Sequence, residues 1–273
     1  MSEPRAPRDS LARMLEIEDQ GGGVFRARLE SFWGAATPGD LLARATLVAT
    51  QGGPDAPSAA QAIFPARALP ELELRLERED LAAERRRVRA WQGGELVCEV
   101  TFRFGPAGDG PSYQCIAPDA GLPAPEDLPS ERELGEAEGW GQYAVGPVEA
   151  RRIGAQTPVQ DDEPAVWLGW LRPREALGTG ARLHAAALAF VSEYRSHWAV
   201  ERRLGADFPR SEITLLDHAL WVHRAACWDD WWLVRTRSDV GVSGRCFSRR
   251  EIHTRRGALI ASAAWEAAVR PRG

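Results

Sequence analysis

The sequence predicts an α+β fold built from two tandem copies of one unit, each a long helix wrapped by an antiparallel β-sheet. Three observations carry this. The order strand, helix, several strands occurs twice along the chain. Segments of the two halves superpose at equal spacing. A stretch rich in Gly, Pro and acidic residues separates them.

In the first half, Phe25, Ala27 and Leu29 alternate and predict a short strand. A loop with Gly34 and Pro38-Gly39 follows, and Asp40 stands where a helix begins. Leu41, Leu42, Ala45, Leu47 and Val48 recur at helical spacing, and Gly52-Gly53-Pro54 ends the run. From Ala59 the pattern turns to strands at 62–67, 72–78, 85–91 and 96–104, with Gly93-Gly94 as the turn between the last two. Gly and Pro then recur from Gly105 to Pro129, and acidic residues gather from Glu126 to Glu138. This reads as a linker or surface excursion without a core of its own. The division is 1–105, 106–145 and 146–273. In the second half, 165–171 is a strand and Leu183 to Tyr194 opens a helix running to about Leu204. Strands follow at 213–223, 231–236, 244–253 and 259–267, with Gly257 at the last turn.

The repeat is visible in register as well as in order. Phe64 precedes Leu72 by the same interval at which His223 precedes Trp231. Gly94-Glu95-Leu96-Val97-Cys98 lies over Gly257-Ala258-Leu259-Ile260-Ala261. A sheet wrapped around one helix buries that helix on most sides. Two such units whose sheets join edge to edge form a double hotdog, and the joint covers edges that would invite aggregation.

Composition narrows the function. The net charge is -5 and every basic side chain is arginine, which gives no electrostatic reason for a nucleic-acid partner. Cys98, Cys115, Cys227 and Cys246 are widely spaced, so free thiols are expected rather than disulfides or a zinc site. The first residues are polar and carry no signal core, and no apolar run is long enough to cross a membrane. The cytoplasm is the expected location. Eleven tryptophans are unusual, and they are read as core or as the lining of an apolar pocket.

The run Leu215-Leu216-Asp217-His218-Ala219-Leu220-Trp221-Val222-His223-Arg224 resembles a segment of the acyl-CoA thioesterase II family. So do Asp230-Trp231-Trp232-Leu233, Gly244-Arg245-Cys246-Phe247, Leu259 to Glu266, and Leu183-His184 with Ala186 to Phe190. The likeness covers about residues 165 to 270. The first half matches in architecture, through Gly39, Asp40 and the strands after Ala62. The resemblance implies a double hotdog, an acyl-CoA or other acyl thioester as substrate, no cofactor and no metal, and assembly into a homodimer or homotetramer.

It also implies site residues. Family members use an Asp, a Thr or Ser, and a Gln to hold and activate a water. The carboxylate accepts the proton, and the hydroxyl and amide orient the water. Backbone N–H groups at a helix start can hold the oxyanion. The Asp maps onto Asp217. The hydroxyl position maps onto Asp239, or onto Ser238 if the alignment shifts by one residue. The Gln position maps onto Trp265. The expected catalytic pair is Asp217 as base and Asp239 as partner; two carboxylates sharing a site raise one pKa. Trp265 and Trp221 are expected to line the acyl pocket, with Asp40 as a further substrate-side candidate or a helix cap. His218 is read as structural and as facing the opposite side from His223. Arg85 to Arg87 and Arg249-Arg250 are read as solvated strand faces with a few contacts to coenzyme A phosphates. The first reading is thioester hydrolysis by an Asp-activated water. The changed positions leave two others open: a non-hydrolytic protein binding acyl-CoA or another apolar ligand, and a hotdog enzyme of different chemistry, such as a dehydratase or cyclase.

Overall fold

The computed structural model describes residues 10–29, 36–82, 84–105, 108, 110–139, 146–155, 157–160 and 163–271. In the first half the elements are α1 (Leu11–Met14), β1 (Glu18–Asp19), β2 (Val24–Arg28), α2 (Pro38–Thr50), β3 (Ala59–Ile63), β4 (Glu73–Ala82), β5 (Arg85–Gln92) and β6 (Glu95–Arg103). The connecting stretch holds a 3-10 turn at Pro125–Asp127 and α3 (Glu131–Glu138). The second half has β7 (Val148–Arg152), β8 (Ala165–Pro173), α4 (Ala181–Glu193), α5 (Trp198–Leu204), β9 (Ser211–Leu215), β10 (Asp217–Val222), β11 (Trp232–Val242), β12 (Arg245–Thr254) and β13 (Leu259–Pro271).

These strands form one antiparallel sheet in the order β1-β2-β4-β5-β6-β3-β10-β13-β12-β11-β8-β7, with β9 on β13. The order is a palindrome. Strands β2-β4-β5-β6-β3 of one half mirror β8-β11-β12-β13-β10 of the other. The seam is the antiparallel pair β3–β10, with Gln61 opposite Ala219. This is the double hotdog, and the edge-to-edge joint stands where the repeat puts it.

Helices α2 and α4 are the two fillings, each of 13 residues. Thr37 caps α2, accepting the Asp40 N–H, and Pro38 starts it at a position that needs no N–H. Asp40 is therefore not the cap. The helices lie side by side and antiparallel. The first turn of α2 meets the end of α4 through Gly39, whose Cβ, if present, would stand 2.9 Å from the Phe190 carbonyl oxygen. At the other end, Arg182 of α4 donates to the Leu47 carbonyl of α2 at 3.1 Å.

The structure departs from the expected elements in several places. The strand expected over 62–67 lies at Ala59–Ile63, and the connecting stretch holds a helix at Glu131–Glu138. The second helix stops at Glu193, because Arg195 takes a left-handed φ of 52° and lays its guanidinium over Trp198 at 4.3 Å. The strand expected over 213–223 breaks at Leu216 into β9 and β10. There the Leu216 N–H goes to Glu266 and its carbonyl accepts the Phe64 N–H. Arg250 is not a solvated residue but 1 % exposed. Arg86 likewise turns in, donating to the Ala49 carbonyl.

The connecting stretch straps the outer face of the second half. Leu122 and Leu128 pack on a small cluster of Trp170, Trp231 and Leu233. Gln114 clamps the β12–β13 turn through Gly257 and Leu259, and Glu126 forms a two-bond pair with Arg255. All four cysteines are free thiols. Among the described residues seven tryptophans are buried, Trp228 stacking on Trp232 at 4.9 Å, so most of the tryptophan excess is core.

Candidate active site

Asp217 opens β10. The pairing of β13 is continuous from Leu215 opposite Ala267 to Ala219 opposite Ala264, which leaves one extra residue on the β9–β10 side. This bulge turns Asp217 outward, and its carboxylate accepts the Glu266 N–H at 2.9 Å. Asp239 sits on a bulge too, between Ser238 opposite Ser248 and Val240 opposite Phe247. Its carboxylate is held by Arg249 at 2.7 Å and Arg237 at 3.4 Å on the outer face. Strands β13 and β12 stand between the two aspartates, which at the usual strand spacing makes them about 14 Å apart along the sheet. The expected carboxylate pair is not formed; coupling of two acids needs close approach.

The same two bulges send the neighbouring residues inward. Ser238, Ser248, Trp265 and His218 line up on the inner face across four strands: Ser238 opposite Ser248, Ser248 opposite Trp265, and Trp265 stacked on His218 at 5.9 Å. Ser238, the alternative hydroxyl position, is thus the inward one, and Asp239 the outward one. Trp265 is 2 % exposed and lies between His218 and the Arg250 guanidinium, 5.4 Å from its ring. It is a wall of the core rather than of an open pocket. An indole accepts no hydrogen bond, so the row lacks the amide oxygen of the family pattern.

Above this row sits the end of α4. Sequence reasoning passed over Glu193. Its signal was a single acidic residue closing an otherwise apolar and hydroxyl-bearing last turn, Ala189-Phe190-Val191-Ser192-Glu193. Glu193 is buried, and its carboxylate accepts the Gly39 N–H at 2.8 Å and the Ser196 hydroxyl at 2.7 Å. Burial raises its pKa to about 7, against the opposing pull of Ser196, Gly39 and Arg250. Arg250 donates to Thr236, to the Val191 carbonyl and to the Tyr194 carbonyl, closing the end of the helix onto β12. Burial lowers its pKa to about 10, opposed by Glu193, and it stays charged at neutral pH. His218, pushed down to about 4 by burial, is neutral at pH 7, and its Nε2 stands 3.3 Å from the Ser192 hydroxyl. Three polar atoms of this layer have no protein partner: His218 Nδ1, Ser248 Oγ and Arg250 Nη2.

An oxyanion would need free amides at the start of a helix such as α2. Its first-turn N–H groups are already engaged: Gly39 with Glu193, and Asp40 and Leu41 with Thr37. Asp40 is buried too, its carboxylate taken by Arg44 Nε at 2.7 Å, and Arg44 goes on to the carbonyls of Met14, Glu16 and Arg28. This pair ties α2 to the segment before it and leaves Asp40 inaccessible to a substrate. Trp221 faces outward from β10 and is 40 % exposed.

The opening beside these residues is a cleft of about 630 Å³ at the seam, a size that suits a small ligand. Ala36, Pro38 and Leu41 at the start of α2, Phe64 just after β3, and Ile213 and Leu215 of β9 supply its apolar side, and Arg67, Glu212 and Thr214 its polar side. Among the described residues no tryptophan lines it, and Asp217 follows two residues after its last wall residue, Leu215. Among the described residues, no group of His, Cys, Asp and Glu is arranged to hold a metal ion.

Comparison with known proteins agrees with this architecture. Residues 121–269 match the family model for the acyl-CoA thioesterase C-terminal domain. The chain is 24 % identical over 194 residues to acyl-CoA thioesterase 2 of Haemophilus influenzae, covering 67 % of each protein. It superposes on an acyl-CoA thioesterase II from Mycobacterium marinum with a TM-score of 0.76 and 22 % identity, covering 95 % of this chain and 98 % of that one. A hot dog fold protein of unknown function from Alicyclobacillus acidocaldarius gives a TM-score of 0.75 at 15 % identity, covering 95 % and 97 %. The palindromic sheet, the two buried helices and these matches together mean that the chain belongs to the acyl-CoA thioesterase II family.

Proposed function

We propose that the chain is an acyl-CoA thioester hydrolase that holds the acyl chain in the seam cleft and uses Asp217 as general base. The observation that carries the reading is the cleft of mixed apolar and polar lining bounded by the start of α2 and by β9, whose last wall residue, Leu215, lies two residues before Asp217. One oxygen of Asp217 is bonded to the Glu266 N–H, and the carboxylate is exposed, so it can accept a proton from water. That water attacks the thioester carbonyl, the C–S bond breaks, and the departing thiolate takes up the proton. The products are a carboxylic acid and free coenzyme A. Asp239, held by two arginines across the sheet, plays no part in this step. Family membership supports the substrate class.

A second reading, binding without hydrolysis, is favoured by Trp265, which fills the inner row where the family pattern has an amide. Thiol release from acyl-CoAs of several chain lengths separates the two. The hydrolase reading expects release by wild type that Asp217→Ala abolishes. Binding of acyl-CoA with no release above the Asp217→Ala level leaves only the second reading, and a gain of release in Trp265→Gln identifies the indole as its cause.

A further inference from the structure

Among the described residues lining the seam cleft, two carry charge. Arg67 comes from the first half, just beyond β3, and Glu212 from β9 of the second half. They meet across the seam, Arg67 Nη1 donating to Glu212 Oε1 at 3.1 Å. We propose that this pair is a latch at the mouth of the cleft, and that Arg67 leaves Glu212 to take a phosphate of the coenzyme A moiety when the acyl chain enters. The proposal rests on the reading of the cleft as the acyl site.

Three observations support it. First, the pair is cheap to open. Its side chains are 59 % and 50 % exposed, and an ion pair so exposed to water holds only weakly. A phosphate offers more negative charge than a carboxylate and the planar fork of arginine grips it through two bonds. Second, the polarity of the cleft suits a molecule with an apolar tail and an anionic head. Leu41, Phe64 and Leu215 line it, whereas the arginine is exposed. Third, four arginines of the outer sheet face have carboxylate partners of their own: Arg89 with Glu99, Arg249 and Arg237 with Asp239, Arg235 with Asp119. None of them lines the cleft.

Glu212 has the opposite effect. With Arg67 drawn away, its carboxylate repels the same phosphate, so the latch sets a threshold as well as a contact. The two members are therefore expected to respond in opposite directions to removal of charge.

The test compares two thioesters of one acyl chain, the acyl-CoA and the acyl-N-acetylcysteamine, which lacks phosphate. Binding is read by calorimetry and cleavage by thiol release. Arg67→Ala is expected to weaken acyl-CoA binding by roughly tenfold, the effect of losing a charged hydrogen bond. It should leave the N-acetylcysteamine thioester unchanged. Glu212→Gln is expected to strengthen acyl-CoA binding alone. Raising salt should weaken acyl-CoA binding by wild type and leave Arg67→Ala nearly flat. Equal effects of Arg67→Ala on both thioesters, or none on either, overturn the latch. Failure of wild type to bind either thioester overturns the reading of the cleft itself.

Discussion

Replacing Glu193 by Gln should change the pH dependence of stability in a defined direction. Burial raises the folded-state pKa of Glu193 from 4.5 to about 7. The folded protein therefore holds a proton that the unfolded chain has released across that interval. A raised acid contributes stability that is fully present below the unfolded pKa and is lost as pH rises through the folded value. At about 1.4 kcal/mol per pKa unit, the interval is worth about 3 kcal/mol. Gln at 193 does not titrate. It loses part of the hydrogen bonding to Gly39 and Ser196, a cost of about 1 kcal/mol that is the same at every pH. Urea unfolding of both proteins at steps between about pH 5 and about pH 8 isolates the carboxylate, since all other titrating groups cancel in the difference. Relative to wild type, Glu193→Gln should gain up to about 3 kcal/mol as pH rises through this range. Parallel curves would refute the reasoning. If Arg250 outweighed burial and held the acid ionised, the curves would run parallel here and the wild type would gain on the variant only below about pH 4.5.

Asp217→Asn should cut thiol release by about a hundredfold or more, the usual worth of a general base, whereas Asp239→Asn should leave it nearly unchanged in the same assay. Trp265→Ala removes a fully buried indole and the stacking partner of both His218 and Arg250. It should cost about 3–5 kcal/mol in denaturant unfolding. Gly39→Ala should destabilise by about 1–3 kcal/mol, because the new methyl meets the Phe190 carbonyl and the Glu193 carboxylate where the two helices touch. His218 should stay neutral down to about pH 4 in an NMR titration of its ring; a midpoint near 6.5 would mean that water reaches the row beneath α4.

The architecture was legible because it repeats. Hydrophobic period marked α2 and α4, paired glycines marked the β5–β6 turn, where Gly93 and Gly94 both take positive φ, and the equal spacing after Phe64 and His223 marked the two-fold order. The site was legible only as a list of positions. Which way a strand residue points depends on counting by two, and a single bulge inverts the count. The bulges at Leu216–Asp217 and at Asp239 put His218 and Ser238 inside and the two aspartates outside, and no composition signal announces either. Arg250 reads as a surface residue beside Arg249. Its burial depends on carbonyls left free where α4 stops, a stop caused by the left-handed turn at Arg195. Glu193 was hidden for a related reason, since its partner Gly39 is 154 residues away in sequence.

The seam between β3 and β10 has a consequence for what selection can act on. In an assembly of two identical chains every substitution appears twice, and each contact across the axis must tolerate its own mirror image. Here the halves share one polypeptide, so each change lands once. The last residues of the two buried helices show the result: Glu193 on α4 accepts from Gly39, while Thr50 on α2 meets the Arg182 guanidinium at 3.3 Å. One end of the helix pair has become a carboxyl group facing an amide and the other a guanidinium facing a hydroxyl. Such a division of labour lets one half specialise while the other keeps the fold, and it is independent of protein concentration.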